Sequence, residues 1–217
     1  YMFMGASSFN QDISTWGVDK VTNMQGMFRN ASIFNQNIGG WNVANVESMN
    51  QMFYDASDFN QNIGGWNVAK VRNMGGMFRN ATDFNQDIGD WITSEVTTMV
   101  NMFNNADAFN QDISDWNVTK VEDMGGMFAN TALFDQDISG WVTTAADDMQ
   151  EMFMNTSEFN QDLSSWDFTN VTDMREMFEN AAAFNQSLGS WDIASVTDMD
   201  NMLDNSGLSP ENYEGTL

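Results

Sequence analysis

Four aspartates stand 25 residues apart: Asp123, Asp148, Asp173 and Asp198. Glu122 precedes the first and Asp147 the second. If successive 25-residue units stack, like carboxylates come within about 5 Å of each other. Each such pair costs about 1 kcal/mol in water. A calcium ion takes clustered carboxylate oxygens and would offset that repulsion. These four residues are therefore the candidate metal ligands, with calcium as the candidate ion. The competing explanation is capping, because upstream the same column reads Asn23, Ser48, Asn73 and Thr98. All these residues carry a short side-chain oxygen that caps a helix N-terminus.

A second column reads Gly17, Asn42, Asn67, Ile92, Asn117, Val142, Asp167, Asp192. It lies between the Trp and the Val of a Trp-x-Val motif and is expected to face outward. Asn42, Asn67, Asn117, Asp167 and Asp192 are the candidate binding residues on this small, polar, faintly acidic face. Protein hot spots favour Trp, Tyr and Arg, and none stands there. Binding through such a face would rest on many weak contacts acting together. Catalysis has little to stand on. There is no His and no Cys, so no nucleophile–imidazole pair, thiolate or disulfide is available. Every carboxylate pair belongs to a repeat column, and none is singled out. An enzyme is not expected.

The elements that must position these columns follow from one period. Trp recurs at 16, 41, 66, 91, 116, 141, 166 and 191, which accounts for all 8. Met-Phe recurs from 2–3 to 177–178, with Met202-Leu203 as an altered ninth copy. An unslipping period of this length predicts a solenoid whose units bury their apolar faces only against neighbours. Residues 1–205 form its eight coils, and the chain begins inside one. Residues 206–217 start a divergent capping segment, with a helix expected from Glu211 to Leu217 after Ser209-Pro210.

Within a coil, Ile13-x-x-Trp16-x-Val18-x-x-Val21 alternates as a short half-buried strand does. Position 23 is a good N-cap, and Met24, Met27, Phe28 and Ala31 then fall on one helix face. Position 30 is Asn in seven copies and Asp55 in the other, a residue that tolerates the left-handed end of a helix. The fold class expected is thus α/β: a leucine-rich-repeat-like solenoid with one short parallel strand and one short helix per coil. Phe9-Asn10-Gln11 recurs as Phe-Asn-Gln, with Asp135 the one exception to Asn. Polar residues locked to apolar columns are expected to form a hydrogen-bonded ladder between coils. Position 12 (Asp12 through Ser187) is a turn cap. Thr93 and Thr143, which replace Val, are expected to distort their coils.

The formal net charge is −24. Residues 1–100 carry 9 Asp/Glu against 5 Lys/Arg, and residues 101–217 carry 22 against 2. Such a chain repels phosphate backbones and anionic membranes, so neither nucleic acid nor membrane insertion is expected. No run of about 18 apolar residues is present to span a bilayer.

The unit Phe109-Asn110-Gln111-Asp112-Ile113-Ser114-Asp115-Trp116-Asn117-Val118, leading to Met124 and Met127-Phe128, resembles the BspA-type surface-protein repeat. The likeness runs from residue 1 to about 205, and the Ser206-to-Tyr213 ending is similar to that family's exit. The resemblance implies a secreted or cell-surface location and a role in adhesion or protein binding. It brings no catalytic residues and no cofactor. The alternative is a structural spacer or subunit of a secreted surface assembly, stabilised by calcium where the acidic column binds it. The expected partner is a protein or a cell surface.

Overall fold

Why the chain stacks at a 25-residue interval is clearest from the backbone amides of residues 22–31. In the computed structural model, which describes residues 1–214 and their side chains as far as 212, these amides divide into two sets. Met24, Gly26, Phe28 and Asn30 donate to the carbonyls of Ser48, Asn50, Met52 and Tyr54 in the next coil, at 2.7–2.9 Å. Met27, Arg29 and Ala31 donate to Met24, Gly26 and Phe28 of their own coil, at 3.0–3.2 Å. The Gln25 amide is left over. The Thr22 carbonyl already accepts from Glu47 at 2.8 Å, and Asn23 Oδ1 accepts from Gln25 at 2.8 Å. With that side chain in place every amide from 24 to 31 has a partner, as a segment packed between coils requires.

This pattern overturns the expected α/β leucine-rich-repeat class. Among the described residues the only helix is α1, Pro210–Glu214, and no sheet forms. The parallel pairing consists of seven isolated bridges, Asn23↔Ser48 through Asp173↔Asp198. The helix expected after position 23 fails because position 26 is left-handed in every coil. Gly26, Gln51, Gly76, Asn101, Gly126, Glu151, Glu176 and Asn201 have φ of 54–58°. One left-handed residue in three or four stops an α-helix. Position 30 is left-handed too, at 56–61° from Asn30 to Asn205. That is the conformation expected of its Asn, at the end of a turn rather than of a helix. The expected strand at Trp-x-Val keeps its alternation, with Trp41 and Val43 buried around an exposed Asn42. It makes no ladder, because turns bracket it: Trp41 donates to Ile38 at 3.0 Å and Val46 to Val43 at 2.8 Å.

The core is built of columns. Phe28, Phe53, Phe78 and their successors to Phe178 stack at centroid distances of 5.4–5.8 Å with planes within 5–13°. Each also lies on a second Phe six residues on, as Phe78 does on Phe84 at 3.9 Å. Such ring pairs add about 0.5–1.5 kcal/mol beyond the area they bury. The Met24, Met27 and Ile13 columns fill the rest and are buried along the stack, except at its two ends, where Met2 and Met199 are exposed.

Side chains tie the remaining part of each coil to its neighbour. Asn10 Oδ1 accepts from the Asn35 amide at 3.0 Å and from Gln36 Nε2 at 2.9 Å. The same pair of bonds repeats down the chain, and Asp135 replaces Asn with the bonds kept at 3.0 and 2.7 Å. The expected ladder is therefore present. Trp41 Nε1 donates to the Ile13 carbonyl at 3.1 Å, and the five following tryptophans repeat the bond at 3.1–3.2 Å. Trp191 is the exception. Phe168 stands where earlier coils have Val or Thr, its ring lies 4.1 Å from that of Trp191, and the buried Trp191 Nε1 has no acceptor.

After residue 205 the register slips by one. Leu208 packs against the core in place of a Phe. Ser209 donates its amide and Asn212 its side-chain amide to Asn185 Oδ1, at 2.8 and 3.0 Å. Asn212, within α1, thus does the work of the ladder Gln. Of the helix expected from Glu211 to Leu217, the structure describes Pro210–Glu214; residues 215–217 lie outside the described residues.

Candidate functional site

Up to three turns per coil are closed by a side-chain oxygen, and the candidate residues of both columns belong to them. Asn42 and Asn67 accept from the amides of Ala44 and Ala69 at 3.2 Å. Asn117 accepts from the Thr119 amide at 3.1 Å and its hydroxyl at 2.6 Å, and Asp167 accepts from Thr169 likewise at 2.9 and 2.6 Å. Asp192 accepts from Ala194 at 3.2 Å. The Thr169 bonds hold the Asp167 carboxyl below the ordinary aspartate value. These five residues line up on one side of the stack, all exposed but Asp167, which is half-buried. They form a column of turns rather than a sheet face. The Asp12 column closes a second turn in the same manner, as Asp112 does for the Ser114 amide at 2.9 Å.

Besides Gly17 in the first coil, two coils break the Asn42 column with apolar residues, and each of these breaks is coupled to a second change. Where it carries Ile92 or Val142, the next position carries Thr93 or Thr143 in place of Val. The expected distortion is absent. Both threonines are buried, and their hydroxyls donate to the carbonyls of Asn117 and Asp167 at 3.0 Å. The local turn is retained, with Val96 donating to Thr93 at 2.9 Å. The polar group has moved inward and the apolar one outward, leaving Ile92 60% and Val142 50% exposed. They stand two coils apart on either side of Asn117, about 10 Å from one another at ordinary chain spacing. The apolar breaks were visible in the sequence, and their partnership with the two threonines is the feature that reading missed.

The acidic column is partly buried and builds turns. Asp123, Asp148 and Asp173 accept from the amides two residues on at 3.0 Å, and Asp198 does so at 3.1 Å. Burial pushes the Asp123 and Asp148 carboxyls up, and neighbouring carboxylates add to it. Burial acts on Asp173 as well, but hydrogen bonds and charge from Arg175 reverse it and leave that carboxyl below its ordinary value. The Arg175 guanidinium lies 2.7 Å from Asp173 and 3.4 Å from Asp198, and reaches Gln150 at 2.7 Å. Among the described residues no group of three or more acidic side chains gathers to hold a metal ion. Each carboxylate turns one oxygen to its own coil, and in the lower half the role of counter-charge falls to Arg175.

No helix of the described residues is long and apolar enough to cross a membrane. A comparison with curated proteins finds no match. A family model described as "Mycoplasma protein of unknown function, DUF285" matches three overlapping stretches, residues 1–83, 60–161 and 113–214. Those stretches overlap because the repeat does, and together they run through all the stacked coils. The chain is therefore a repeat protein belonging to this DUF285 family.

Proposed function

We propose that the chain is a non-catalytic binding protein of the cell surface, which engages a protein or surface partner through the column of Asn42, Asn67, Asn117, Asp167 and Asp192. The BspA-type resemblance supports the secreted or surface location and the adhesive role. The observation that carries the reading is the pair Ile92 and Val142. In a molecule whose apolar columns are buried from coil to coil, these two β-branched side chains stand in the open on an otherwise polar row. Buried threonines compensate for them inside. A partner covering Ile92, Asn117 and Val142 together would gain apolar burial at both ends, worth about 25 cal/mol per Å² removed from water.

The test is binding of the purified chain to intact cells and to an array of extracellular proteins. Asn67→Arg, Asn117→Arg, Ile92→Asn and Val142→Asn are compared with the unchanged protein. Loss of binding with an unchanged melt supports this reading. If all four substitutions are silent while deletion of two whole coils abolishes assembly, the chain is a spacer instead.

A further inference from the structure

A third surface carries charge of both signs, separated along the stack. Its column runs Arg29, Tyr54, Arg79, Asn104, Ala129, Met154, Glu179, Asp204. Arg29 and Arg79, the two neighbours of Tyr54 in this column, lie over its ring, their guanidinium carbons 4.7 and 5.6 Å from its centroid. Five of the seven cations of the chain lie in residues 1–100. Neither arginine has an ion-pair partner among the described residues, and the buried Nε of each has no acceptor. Among the described residues Glu179 and Asp204, in the same column, form no ion pair either, and nor do the nearby Glu151 and Glu176. Between the two ends Asn104 and Ala129 are buried, so no side chain protrudes at the middle.

We propose that this face is a self-complementary interface on which two copies of the chain pair antiparallel. The two-fold axis passes between the Asn104 and Ala129 coils. Antiparallel stacking brings the first coil of one copy against the eighth of the other, so Arg29 faces Asp204. Arg79 then lies within reach of Glu151 and Glu179, and each contact occurs twice. An isologous interface needs one patch that complements itself when reversed, and a column running from basic to acidic does so. A parallel arrangement would set like charge against like, which costs several kcal/mol across an interface. The low middle lets the backbones approach while the long arginine stems cover the apolar part of the contact.

Sedimentation equilibrium of the full chain, with a fluorescence melt to check folding, tests the proposal. The unchanged protein is expected to dimerise. The Arg29→Glu/Arg79→Glu variant and the Glu179→Arg/Asp204→Arg variant are each expected to raise the dissociation constant at least tenfold. An equimolar mixture of the two variants is expected to form a heterodimer, and the quadruple variant to dimerise again. A monomeric unchanged chain at about 100 μM, well above the micromolar range of weak specific complexes, would overturn the proposal. So would a dimer that ignores both reversals, or a mixture and a quadruple variant that both stay monomeric.

Discussion

Residues 22–33 and residues 9–21 of each coil face the same task, which is holding one coil to the next, and solve it differently. The first segment does so with backbone, as four amides reach four carbonyls of the next coil. The second makes no backbone bond to its neighbours within residues 10–21. It is tied instead by the Asn10 ladder, the tryptophan indole and side-chain reaches such as Asn45 Nδ2 to the Asp19 carbonyl at 2.9 Å. The sequence bears the mark of the difference. Where side chains make the tie, residue types hardly vary from copy to copy: Asn, Gln and Trp recur. Where the backbone makes it, position 25 runs through Gln, Asn, Gly, Val, Arg and Asp, and position 26 through Gly, Gln, Asn and Glu. A backbone acceptor at position 25 and a backbone donor at position 26 are present whatever the side chain, so those columns are free to drift.

The contrast breaks most sharply at a tryptophan. Trp116→Ala removes a buried ring and orphans the Ile88 carbonyl, and should lower unfolding stability by about 3–5 kcal/mol. Trp191→Ala, at a half-buried ring whose indole nitrogen already lacks an acceptor, should lower it by less than half as much. Urea melts of the two variants decide, and equal losses would contradict the tie assigned to the indole. Next in size is the ladder. Asn85→Ala deprives the Asn110 amide and Gln111 Nε2 of their acceptor, which should cost about 1–3 kcal/mol. Asn85→Asp should leave stability nearly unchanged, because Asp135 performs the same role.

The backbone-tied segment should behave oppositely. Glu151 holds φ at 56°, a conformation that costs a residue with a Cβ about 1 kcal/mol. Glu151→Gly should therefore stabilise by up to about 1 kcal/mol, where removal of a side chain from residues 10–16 destabilises. A loss of stability on that change would show that the Glu side chain carries some of the tie.

The smallest effect concerns Asp123. Burial raises its folded carboxyl above the ordinary 3.8, so the folded state binds the proton more readily than the unfolded chain. The stability linked to that proton is fully present below 3.8 and is lost as pH rises through the raised value. Asp123→Asn, the residue that Asn23 and Asn73 already place in this column, should match the unchanged protein in acid. Near neutral pH it should melt slightly higher, by about 0.5 kcal/mol or less as expected of a partly exposed site. Thermal melts from pH 3 to about 7, which brackets the carboxylate range, provide the check.

Much of this molecule could be read directly from the chain. The 25-residue interval, the Phe and Met columns, the Asn–Gln ladder and the left-handed Asn at position 30 are all single-residue signals that eight copies repeat. The capping chemistry of position 23 was legible as well, because Asn, Asp, Ser and Thr share it, but it was read as the cap of a helix and it closes a turn. The helix after it was a misreading. Spacings of 3, 1 and 3 among Met24, Met27, Phe28 and Ala31 fit one helix face, but they also fit successive tight turns. The discriminating sign was Gly26, Gly76, Gly126 and Asn101 in the middle of the supposed helix, residues at ease with positive φ. The acidic column was legible only in its placement. A 25-residue spacing states that carboxylates lie side by side, and says nothing of where each oxygen points.

The amino-acid sequence by itself determined the repeat, its register and the identity of the buried columns, because those depend on which residues are apolar and how often they return. Tertiary structure alone decided the secondary structure within a coil. Helix, strand and turn compete for the same backbone amides, and here the carbonyls of the next coil, 24 residues away, outbid the local acceptors. A partner at that distance along the chain is invisible to any local pattern.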